Sequence, residues 1–375
     1  MKELREILIA YDALRRQGRP AALATVVAVH GSSYRRPGAR MLLTGDGWVA
    51  GGVSGGCLES DVAQRARAVL VSGRAEVVTY DTTEDGDVVF GVGLGCRGVI
   101  QILIEPLSGD RPDLAFLMSL VRRREPGVCA TVFRCEGDSA ARLGDRLLLS
   151  QSGEVRDGLA DARLAACVRP DAQSALASGK SVVRDYALAQ GSVAVFLEAL
   201  VPPQALVIFG AGHDVPPLVR VAKELGWHIT VADARPAYAT AERFPSADAV
   251  LACPPEEAAE RIPLDAQTAV VLMTHNYLQD RTLLEQWLPS PIRYLGVLGP
   301  KRRTERLLND LPPALATSEA LARLHSPVGL DLGADTPELI ALSILAGIQA
   351  VAAGRPGGFL RDRSGPIYAL EPDAL

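Results

Sequence analysis

The sequence predicts an α/β protein in which an N-terminal mixed α+β domain precedes a C-terminal Rossmann-like domain with a doubly wound parallel sheet. Two apolar runs, 206–209 and 229–232, flank a glycine turn and a segment whose apolar residues have helical spacing. Strand-like and helix-like segments continue to alternate as far as residue 298, which is typical of a parallel sheet. Consecutive prolines at 202 and 203 stop regular structure, so we expect the domains at residues 1–200 and 201–375.

Composition narrows the class of protein. The chain has 375 residues, 48% of them hydrophobic and 22% charged, which is ordinary for two globular domains. A net charge of −5 argues against a nucleic-acid partner. No apolar run approaches the ~20 residues of a membrane span, and the charged N-terminus does not resemble a signal peptide. We therefore expect a cytoplasmic protein whose six cysteines are mostly reduced.

The N-terminal domain begins with a predicted helix at 3–17 and a buried strand at 21–30. The loop 31–38 then brings together small hydroxyls and two adjacent arginines, Arg35 and Arg36. Arginine pairs bind phosphate or carboxylate through charge-assisted hydrogen bonds, but the same residues would also suit an exposed basic turn. A turn at 45–47 between strand-like runs predicts a hairpin.

A glycine-rich loop with a cysteine follows that hairpin. Gly55 and Gly56 precede Cys57, and residues 62–70 predict a helix. Cys57 would then lie at a helix N-terminus, where the dipole favours the thiolate. Glu59 could cap the first turn or act on a proton or a metal. The alternative for Cys57 is a buried, unreactive side chain.

A second loop of this kind contains Gly95 and Cys96, 39 residues after Cys57. The spacing is not that of a zinc site, but two thiolates that converged would suit sulfur or a sulfur-rich metal complex. We predict packing roles for the remaining N-terminal cysteines, which are Cys129, Cys135 and Cys167.

Residues 136–192 predict a connecting region with short strands and a helix near 159–168. No internal repeat is evident.

The glycine turn after residue 209 predicts a nucleotide-shaped ligand. Gly210 and Gly212 let a phosphate approach the backbone at a helix N-terminus, and Asp233 follows at the offset of an acid that contacts a ribose hydroxyl. Val215 replaces the third glycine of the dinucleotide pattern, so a standard NAD pose does not follow. The alternative is a fold of this type that binds nothing.

Ligands of such sheets bind beyond the C-terminal ends of the strands. Residues at these predicted ends are therefore candidates for ligand contact, with a solvated helix start as the alternative for the cations. The loop around Asp331, between two glycines, could close over the same crevice. The strand-end candidates are His213, Arg235, His275, Asn276, Lys301 and Arg302.

Six motifs occur in a specific order: Gly55-Gly56-Cys57-Leu58-Glu59, Gly93-Leu94-Gly95-Cys96, Phe209-Gly210-Ala211-Gly212-His213, Met273-Thr274-His275-Asn276, Gly299-Pro300-Lys301-Arg302-Arg303, and Pro327 to Glu338 with the following Ile340-Ala341-Leu342-Ser343-Ile344. Over nearly its whole length the chain thereby resembles the XdhC/CoxI family. These are accessory proteins for molybdenum hydroxylases such as xanthine dehydrogenase, aldehyde oxidoreductase and carbon monoxide dehydrogenase. Arg97 departs from the small or amide residue expected after the second cysteine.

The resemblance implies a chaperone that binds molybdenum cofactor, a pterin dithiolene often extended to a dinucleotide. Such proteins protect the cofactor during sulfuration by a cysteine desulfurase and pass it to the hydroxylase apo-enzyme. Cys57 and Cys96 would hold or sulfurate the metal end, while Gly210, Gly212 and Asp233 would hold the phosphate end. A homodimer and any catalytic turnover stay open. The alternatives are an NAD(P)-dependent oxidoreductase and a scaffold that bridges desulfurase and hydroxylase without holding cofactor.

Overall fold

The computed structural model describes residues 1–81, 98–109, 111–189 and 191–364. It divides into two compact units, Met1–Pro202 and a second unit that begins at Pro203. The division falls at the two adjacent prolines, which have no N–H group to donate to a strand. Within the described ranges, every helix is too short or too polar to span a lipid bilayer.

The first unit contains two antiparallel sheets, each with its own helices. The sheets have the orders β3-β2-β1-β5-β4 and β8-β7-β6-β10-β9. The helices are α1 (Lys2–Arg16), α2 (Glu59–Ser72), α3 (Pro112–Arg123) and α4 (Ala162–Ser178). The strands are β1 (Ala21–Gly31), β2 (Arg40–Thr44), β3 (Gly47–Gly51), β4 (Glu76–Asp81), β5 (Gly98–Leu107), β6 (Gly127–Gly137), β7 (Arg146–Ser150), β8 (Val155–Asp157), β9 (Val182–Leu188) and β10 (Gly191–Leu200).

The two sheets are two copies of one structural repeat, residues 2–107 and 112–200. Both copies run helix, three strands, helix, two strands, and both place the strands in the same order within the sheet. The register is also the same: Ala21 pairs with Thr44 in the first copy, and Gly127 pairs with Ser150 in the second, 106 positions later (127 − 21). The second helix of each copy ends at a glycine in the left-handed backbone conformation: α2 ends at Gly73 and α4 at Gly179.

This duplication corrects two expectations from the sequence. The predicted absence of an internal repeat is wrong. The region 136–192 contains strands and a helix, as expected, but it does not connect two domains: its strands and the 17-residue helix α4 belong to the second copy. The repeat is not evident in the sequence because the copies share burial pattern and register more than residue identity.

The copies are joined by buried ion pairs that exchange partners. Arg40 of the first copy binds both carboxylate oxygens of Glu198 in the second, with Nη1 at 2.8 Å from Oε1. Arg146 of the second copy binds Glu105 of the first, with Nη1 at 2.9 Å from Oε1. Arg40 and Arg146 occupy equivalent positions of the repeat, as do Glu105 and Glu198. Reciprocal contacts of this kind are typical of a two-fold symmetric interface.

Burial makes these charges depend on one another. Loss of hydration alone would raise the pKa of the Glu105 carboxyl, but Arg146 and Arg111 outweigh that effect and hold the pKa below its ordinary value. Apolar side chains from both sheets, including Val27, Phe133 and Phe196, complete the contact. The first unit is therefore one folded body built from two copies.

The copies differ in the loops that carry unusual residues. Residues 51–58 of the first copy contain the glycines and Cys57, whereas the equivalent residues 157–164 retain Gly158 but place Arg163 at the cysteine position. Between the last two strands, residues 82–97 of the first copy correspond to the two residues 189–190 in the second. Only the first copy therefore carries the predicted cysteine chemistry.

The second unit has a six-stranded parallel sheet of order β13-β12-β11-β14-β15-β16. Its strands are β11 (Ala205–Phe209), β12 (His228–Asp233), β13 (Ala249–Ala252), β14 (Thr268–Leu272), β15 (Tyr294–Val297) and β16 (Leu324–His325). Its helices are α5 (Val215–Glu224), α6 (Ala258–Arg261), α7 (Tyr277–Trp287), α8 (Lys301–Asn309), α9 (Ser318–Ala322) and α10 (Pro337–Ala352).

Helices cover both faces of this sheet. One apolar cluster packs α5 and α10 against it, and the other packs α7 and α8. The strand order is that of dinucleotide-binding folds, with the reversal between β11 and β14. The predicted fold class is confirmed, and the ligand crevice of such a sheet lies at the C-terminal ends of these two strands.

The exchanged ion pairs generate a stability prediction. Replacing Arg40 by Met leaves Glu198 buried without the guanidinium that binds both of its oxygens, which we expect to lower the free energy of unfolding by about 3–5 kcal/mol. Arg146→Met should cost less, because Glu105 keeps Arg111 Nη2 at 2.8 Å. Urea denaturation measures both changes.

The double variant Arg40→Met/Glu198→Leu serves as the control, since it removes both charges together. We expect it to recover part of the lost stability. Equal losses for Arg40→Met and Arg146→Met would show that Arg111 does not compensate as the contacts indicate.

Candidate functional site

The loop around Cys57 is shaped by Glu59. The first residue of α2 turns its carboxylate back, and Oε1 accepts hydrogen bonds from the amides of Val53 at 3.2 Å and Ser54 at 2.8 Å. The Ser54 hydroxyl donates to Glu59 and accepts from the amides of Gly56 and Leu58, both at 3.1 Å. These bonds hold the loop that precedes α2, and α2 itself has no side-chain cap hydrogen bond, so the predicted capping of its first turn by Glu59 is wrong.

These bonds also set the protonation of Glu59. Burial opposes its ionisation, but the hydrogen bonds from Ser54 and the backbone outweigh burial and lower the pKa of the carboxyl. At neutral pH the side chain is therefore an ionised acceptor that holds the loop. A direct action of Glu59 on a proton or metal stays a prediction.

Cys57 projects from this loop into solvent. Its side chain is exposed, and Gly55 and Gly56 beside it are exposed as well. The ring of Tyr34 lies over Gly55, where a Cβ would be 3.5 Å from the ring. Loop 31–38 thus lies against the cysteine loop. Of its two arginines, Arg35 is paired with Glu3 of α1.

Gly95 and Cys96 lie outside the described residues, as does Arg97. The residues that flank this segment are placed in the sheet: Asp81 pairs with Val99, and Gly98 pairs with Gly31. Both flanks therefore lie at the end of the sheet from which loop 31–38 departs. Among the described residues, no group of three or more His, Cys, Asp or Glu side chains could hold a metal ion.

The remaining cysteines divide by exposure. Cys129 is buried, as predicted, and Cys135 is partly buried against the core of the second copy. Cys167 is exposed, so its predicted packing role is wrong. Its position in α4 falls on the outer face because the buried residues of that helix are Leu164, Ala165 and Val168.

In the second unit the glycine turn follows β11 at the switch point of the sheet. Gly210 has a φ of +117°, and a Cβ there would lie 2.2 Å from the carbonyl oxygen of Met273, at the end of β14. Only glycine permits this close approach of the two strand ends. The turn is thereby held directly against the residues that follow β14.

Asp233, at the end of β12, is committed to the same turn. Its Oδ2 accepts from the amide of Ala211 at 2.7 Å and from Arg235 Nη2 at 2.8 Å, while Oδ1 accepts from the amide and Nε of Arg235. Burial alone would raise the pKa of this carboxyl, but these hydrogen bonds outweigh it and lower the pKa. Asp233 thus stabilises the turn, and its predicted contact with a ribose stays a prediction.

Arg235 stacks on an aromatic ring as well. Its guanidinium carbon lies 3.8 Å from the centroid of Tyr238, and Arg243 lies over the same ring at 4.9 Å. Arg243 Nη1 also donates to the carbonyl oxygen of Ala211 at 2.8 Å. Asp233 and Arg243 therefore bind the backbone of the glycine turn directly, and Arg235 orients Asp233.

Asp214 is a residue of this crevice that the sequence analysis missed. Its Oδ2 lies 2.9 Å from Nε2 of His275, and its Oδ1 would lie 2.5 Å from a Cβ on Gly212. His275 is exposed and has a φ of +55°, which is uncommon for a residue other than glycine. Asp214 thus joins the glycine turn to the end of β14. Its place immediately before α5 was the available signal.

The start of α5 differs from a usual phosphate site. Pro216 and Pro217 occupy the first turn and have no N–H groups to offer. In the described structure, the backbone amides of Gly212, His213 and Asp214 have no hydrogen-bond acceptor. The donors at this position are therefore those of the turn and not those of the helix.

The other predicted strand-end residues fall into two groups. Asn276 caps α7 by accepting from the amides of Leu278 and Gln279. His213, Lys301 and Arg302 are exposed. The neighbouring Arg303 turns inward and pairs with Asp280, which also accepts from Thr274 at 2.5 Å. The crevice rim thus carries exposed cations above a buried ion pair.

The loop before α10 packs through glycines. A Cβ on Gly329 would lie 2.3 Å from the Ser343 hydroxyl, and one on Gly347 would lie 3.3 Å from the Cα of Gly329. Asp331 is exposed in this loop. The glycines account for the close packing of loop and helix, while closure over the crevice stays a prediction.

A histidine that the sequence analysis did not name lies beneath this loop. His325 stacks on Tyr294 with ring centroids 4.0 Å apart and an interplanar angle of 6°. Burial lowers the pKa of its imidazole. The neutral form is therefore the one that the folded unit favours.

Comparison with known proteins identifies related sequences for both units. Residues 14–81 and 120–187 match the XdhC and CoxI family, and residues 206–348 match the XdhC Rossmann domain. The first two segments are 106 positions apart (120 − 14), the same offset that relates the two copies of the repeat.

Two relatives match over most of their length. The chain is 32% identical to a Bacillus subtilis protein named as a probable subunit of xanthine dehydrogenase, over 90% of this chain and 94% of the relative. It is 25% identical to the molybdenum cofactor insertion chaperone PaoD of Escherichia coli, over 89% and 84% respectively. A crystal structure described as a xanthine dehydrogenase from Bacillus halodurans has a TM-score of 0.75 and 29% identity, and covers 93% of this chain and 96% of its own.

Exposure predicts the order in which the cysteines react. We expect iodoacetamide at neutral pH to alkylate Cys57 and Cys167 well before Cys129 and Cys253 in the native protein. The last two are buried, and burial raises the pKa of each thiol. Peptide mass spectrometry of timed samples gives the order, and labelling in denaturant should remove the difference. Native labelling of Cys129 as fast as Cys57 would contradict the described packing.

The lowered pKa of His325 predicts a loss of stability in mild acid. An unfolded histidine titrates near pH ~6.5, so the unfolded chain binds a proton before the folded chain does as the pH falls. The contribution of neutral His325 is therefore present above that pH and is lost as the pH falls through the folded pKa. Between pH 7 and pH 5, the free energy of unfolding should depend less on pH in His325→Phe than in the wild-type protein. The substituted phenylalanine keeps an aromatic ring against Tyr294. An unchanged dependence would exclude His325 as its source.

Proposed function

The chain belongs to the XdhC and CoxI family, and from that membership we propose that it is a chaperone that binds molybdenum cofactor and delivers it to a molybdenum hydroxylase. One relative, PaoD, is named as an insertion chaperone for this cofactor, and it aligns with 89% of this chain. That whole-length similarity is the observation that carries the proposal. It includes the sequence of both units, so the activity is not borrowed from a shared Rossmann domain alone.

The described residues fit such a cofactor in two respects. Cys57 offers an exposed thiol on a glycine loop, and sulfur donors suit a metal bound by a dithiolene. The turn at Gly210 and Gly212 lies at the switch point of the sheet with amide donors that lack acceptors in the described structure. When bound, the cofactor would supply the metal–sulfur centre that the hydroxylase needs.

We assign roles to the remaining candidates on the same basis. Glu59 and Ser54 hold the loop that presents Cys57, and Cys96 is a second thiol for the metal end. His213, His275, Lys301 and Arg302 contact the pterin or its nucleotide extension. A cysteine desulfurase is the partner that would supply sulfur, and the hydroxylase apo-enzyme is the partner that receives the cofactor.

The second candidate is an NAD(P)-dependent oxidoreductase, which the dinucleotide-type strand order favours. Two features weigh against it. Val215 replaces the glycine that brings helix and strand together in the dinucleotide pattern, and both oxygens of Asp233 are already bonded to Arg235. This candidate requires tight NADH binding and turnover of a carbonyl substrate.

Cofactor retention tests the proposal. The protein is produced in cells that make molybdenum cofactor, and molybdenum and pterin per chain are measured after purification. We expect wild-type protein to retain both, and Cys57→Ala or Cys96→Ala to lower the amount retained roughly tenfold or more. Cys167→Ala is the matched control, because it removes an exposed thiol from the second copy of the repeat.

The outcomes distinguish the role of the two thiols from cofactor binding itself. Undiminished retention in both Cys57→Ala and Cys96→Ala would remove the assigned role of the thiols. Absence of pterin and molybdenum from the wild-type protein would contradict cofactor binding and favour the bridging scaffold.

A further inference from the structure

The carboxylate of Asp214 lies over the glycine turn, where a nucleotide-binding fold usually receives phosphate. Its position is set from both sides of the switch point, by the bond to His275 after β14 and by the close approach to Gly212 after β11. Its side chain is largely buried, with 19% exposed. In the described structure Oδ2 contacts His275, and Oδ1 accepts no hydrogen bond.

This arrangement disfavours a phosphate at the turn. A carboxylate and a phosphate in contact repel each other, and the partly buried position limits screening by water. The two prolines at the start of α5 remove amide donors that would otherwise favour an anion. Asp214 and the prolines therefore both disfavour a phosphate, while the amides of Gly212, His213 and Asp214, which have no acceptor in the described structure, act in the opposite direction.

The acidic residue that usually contacts a ribose in such a fold, at the end of the second strand, is also occupied by other partners here. Asp233, at the end of β12, is neutralised by Arg235 and bonded to the turn. Asp214, by contrast, is a carboxylate near the switch point with one oxygen that accepts no hydrogen bond in the described structure. The acid that meets the ligand thus lies on the turn itself and not on the second strand.

From these contacts we infer that Asp214 makes the glycine turn a site for a 2-amino-4-oxopyrimidine ring, and that the phosphate of the ligand is held elsewhere. Such a ring carries adjacent N–H groups, on N3 and on the 2-amino group, that can donate side by side to one carboxylate. Pterin and guanine share this edge. The inference rests on the proposed function for its choice of pterin, and it identifies the end of the cofactor that the second unit receives.

Two small ligands separate ring recognition from phosphate binding. Pterin carries the paired donors, while lumazine has an oxygen in place of the 2-amino group and presents it to the carboxylate. We expect the wild-type chain to bind pterin at least about tenfold more tightly than lumazine, and Asp214→Asn to lose most of this preference. Pyrophosphate should bind no more weakly to Asp214→Asn than to wild type, because a negative charge has been removed.

Titration calorimetry measures all three ligands, with guanosine as a further probe of the same edge. Asp46→Asn, in the hairpin turn of the first unit, is the matched control and should leave every affinity unchanged. Thermal melting establishes that Asp214→Asn is folded. Binding of guanosine as tight as pterin would assign the ring edge in general, and weaker guanosine would assign the pteridine.

The opposite result is equally clear. Pterin binding that is absent in wild type, or that Asp214→Asn leaves unchanged, would overturn the inference, as would tighter pyrophosphate binding without loss of pterin. These outcomes differ from a failure of the proposed function. A wild-type chain that binds pterin but retains no molybdenum keeps the ring site and loses the chaperone, while retained molybdenum with no effect of Asp214→Asn does the reverse.

Discussion

The buried ion pair between Arg40 and Glu198 joins the two copies of the repeat in the first unit. The guanidinium of Arg40 binds Glu198 from the other copy of the repeat and the carbonyl oxygen of Gly38, and the backbone carbonyl of Arg40 accepts from the amide of Gly52. One residue thereby connects the two copies to the ends of both loops beside Cys57. Because the guanidinium is buried, the whole arrangement depends on its carboxylate partner being present and ionised.

The duplication explains why only part of the first unit carries unusual chemistry. Both copies keep the residues that define the fold, such as the glycine close to the exchanged glutamate, Gly38 in one and Gly144 in the other. The second copy has Arg163 at the position of Cys57 and a two-residue link between its last strands. The shared residues therefore define the fold, and the loops of the first copy carry the residues that differ.

In the second unit, a few residues set the charge at the ligand crevice of a common fold. Gly210 keeps the close approach of the two strand ends, which preserves the crevice. Both oxygens of Asp233 accept hydrogen bonds from Arg235, whereas Asp214 contacts His275 through Oδ2. The two carboxylates near the switch point therefore have different partners.

The sequence by itself determined the Rossmann-like unit, the glycine turn, the cysteine loop and the likeness to a family, because these are signals of periodicity and local spacing. It did not reveal the repeat, the exposure of Cys167 or the contact of Asp214 with His275. Those features depend on partners distant in the chain: Glu198 lies 158 positions from Arg40, and His275 lies 61 positions from Asp214. Only the tertiary structure decides such pairings, since strand register and the neutralisation of buried charge are set by the packing of whole elements and not by neighbouring residues.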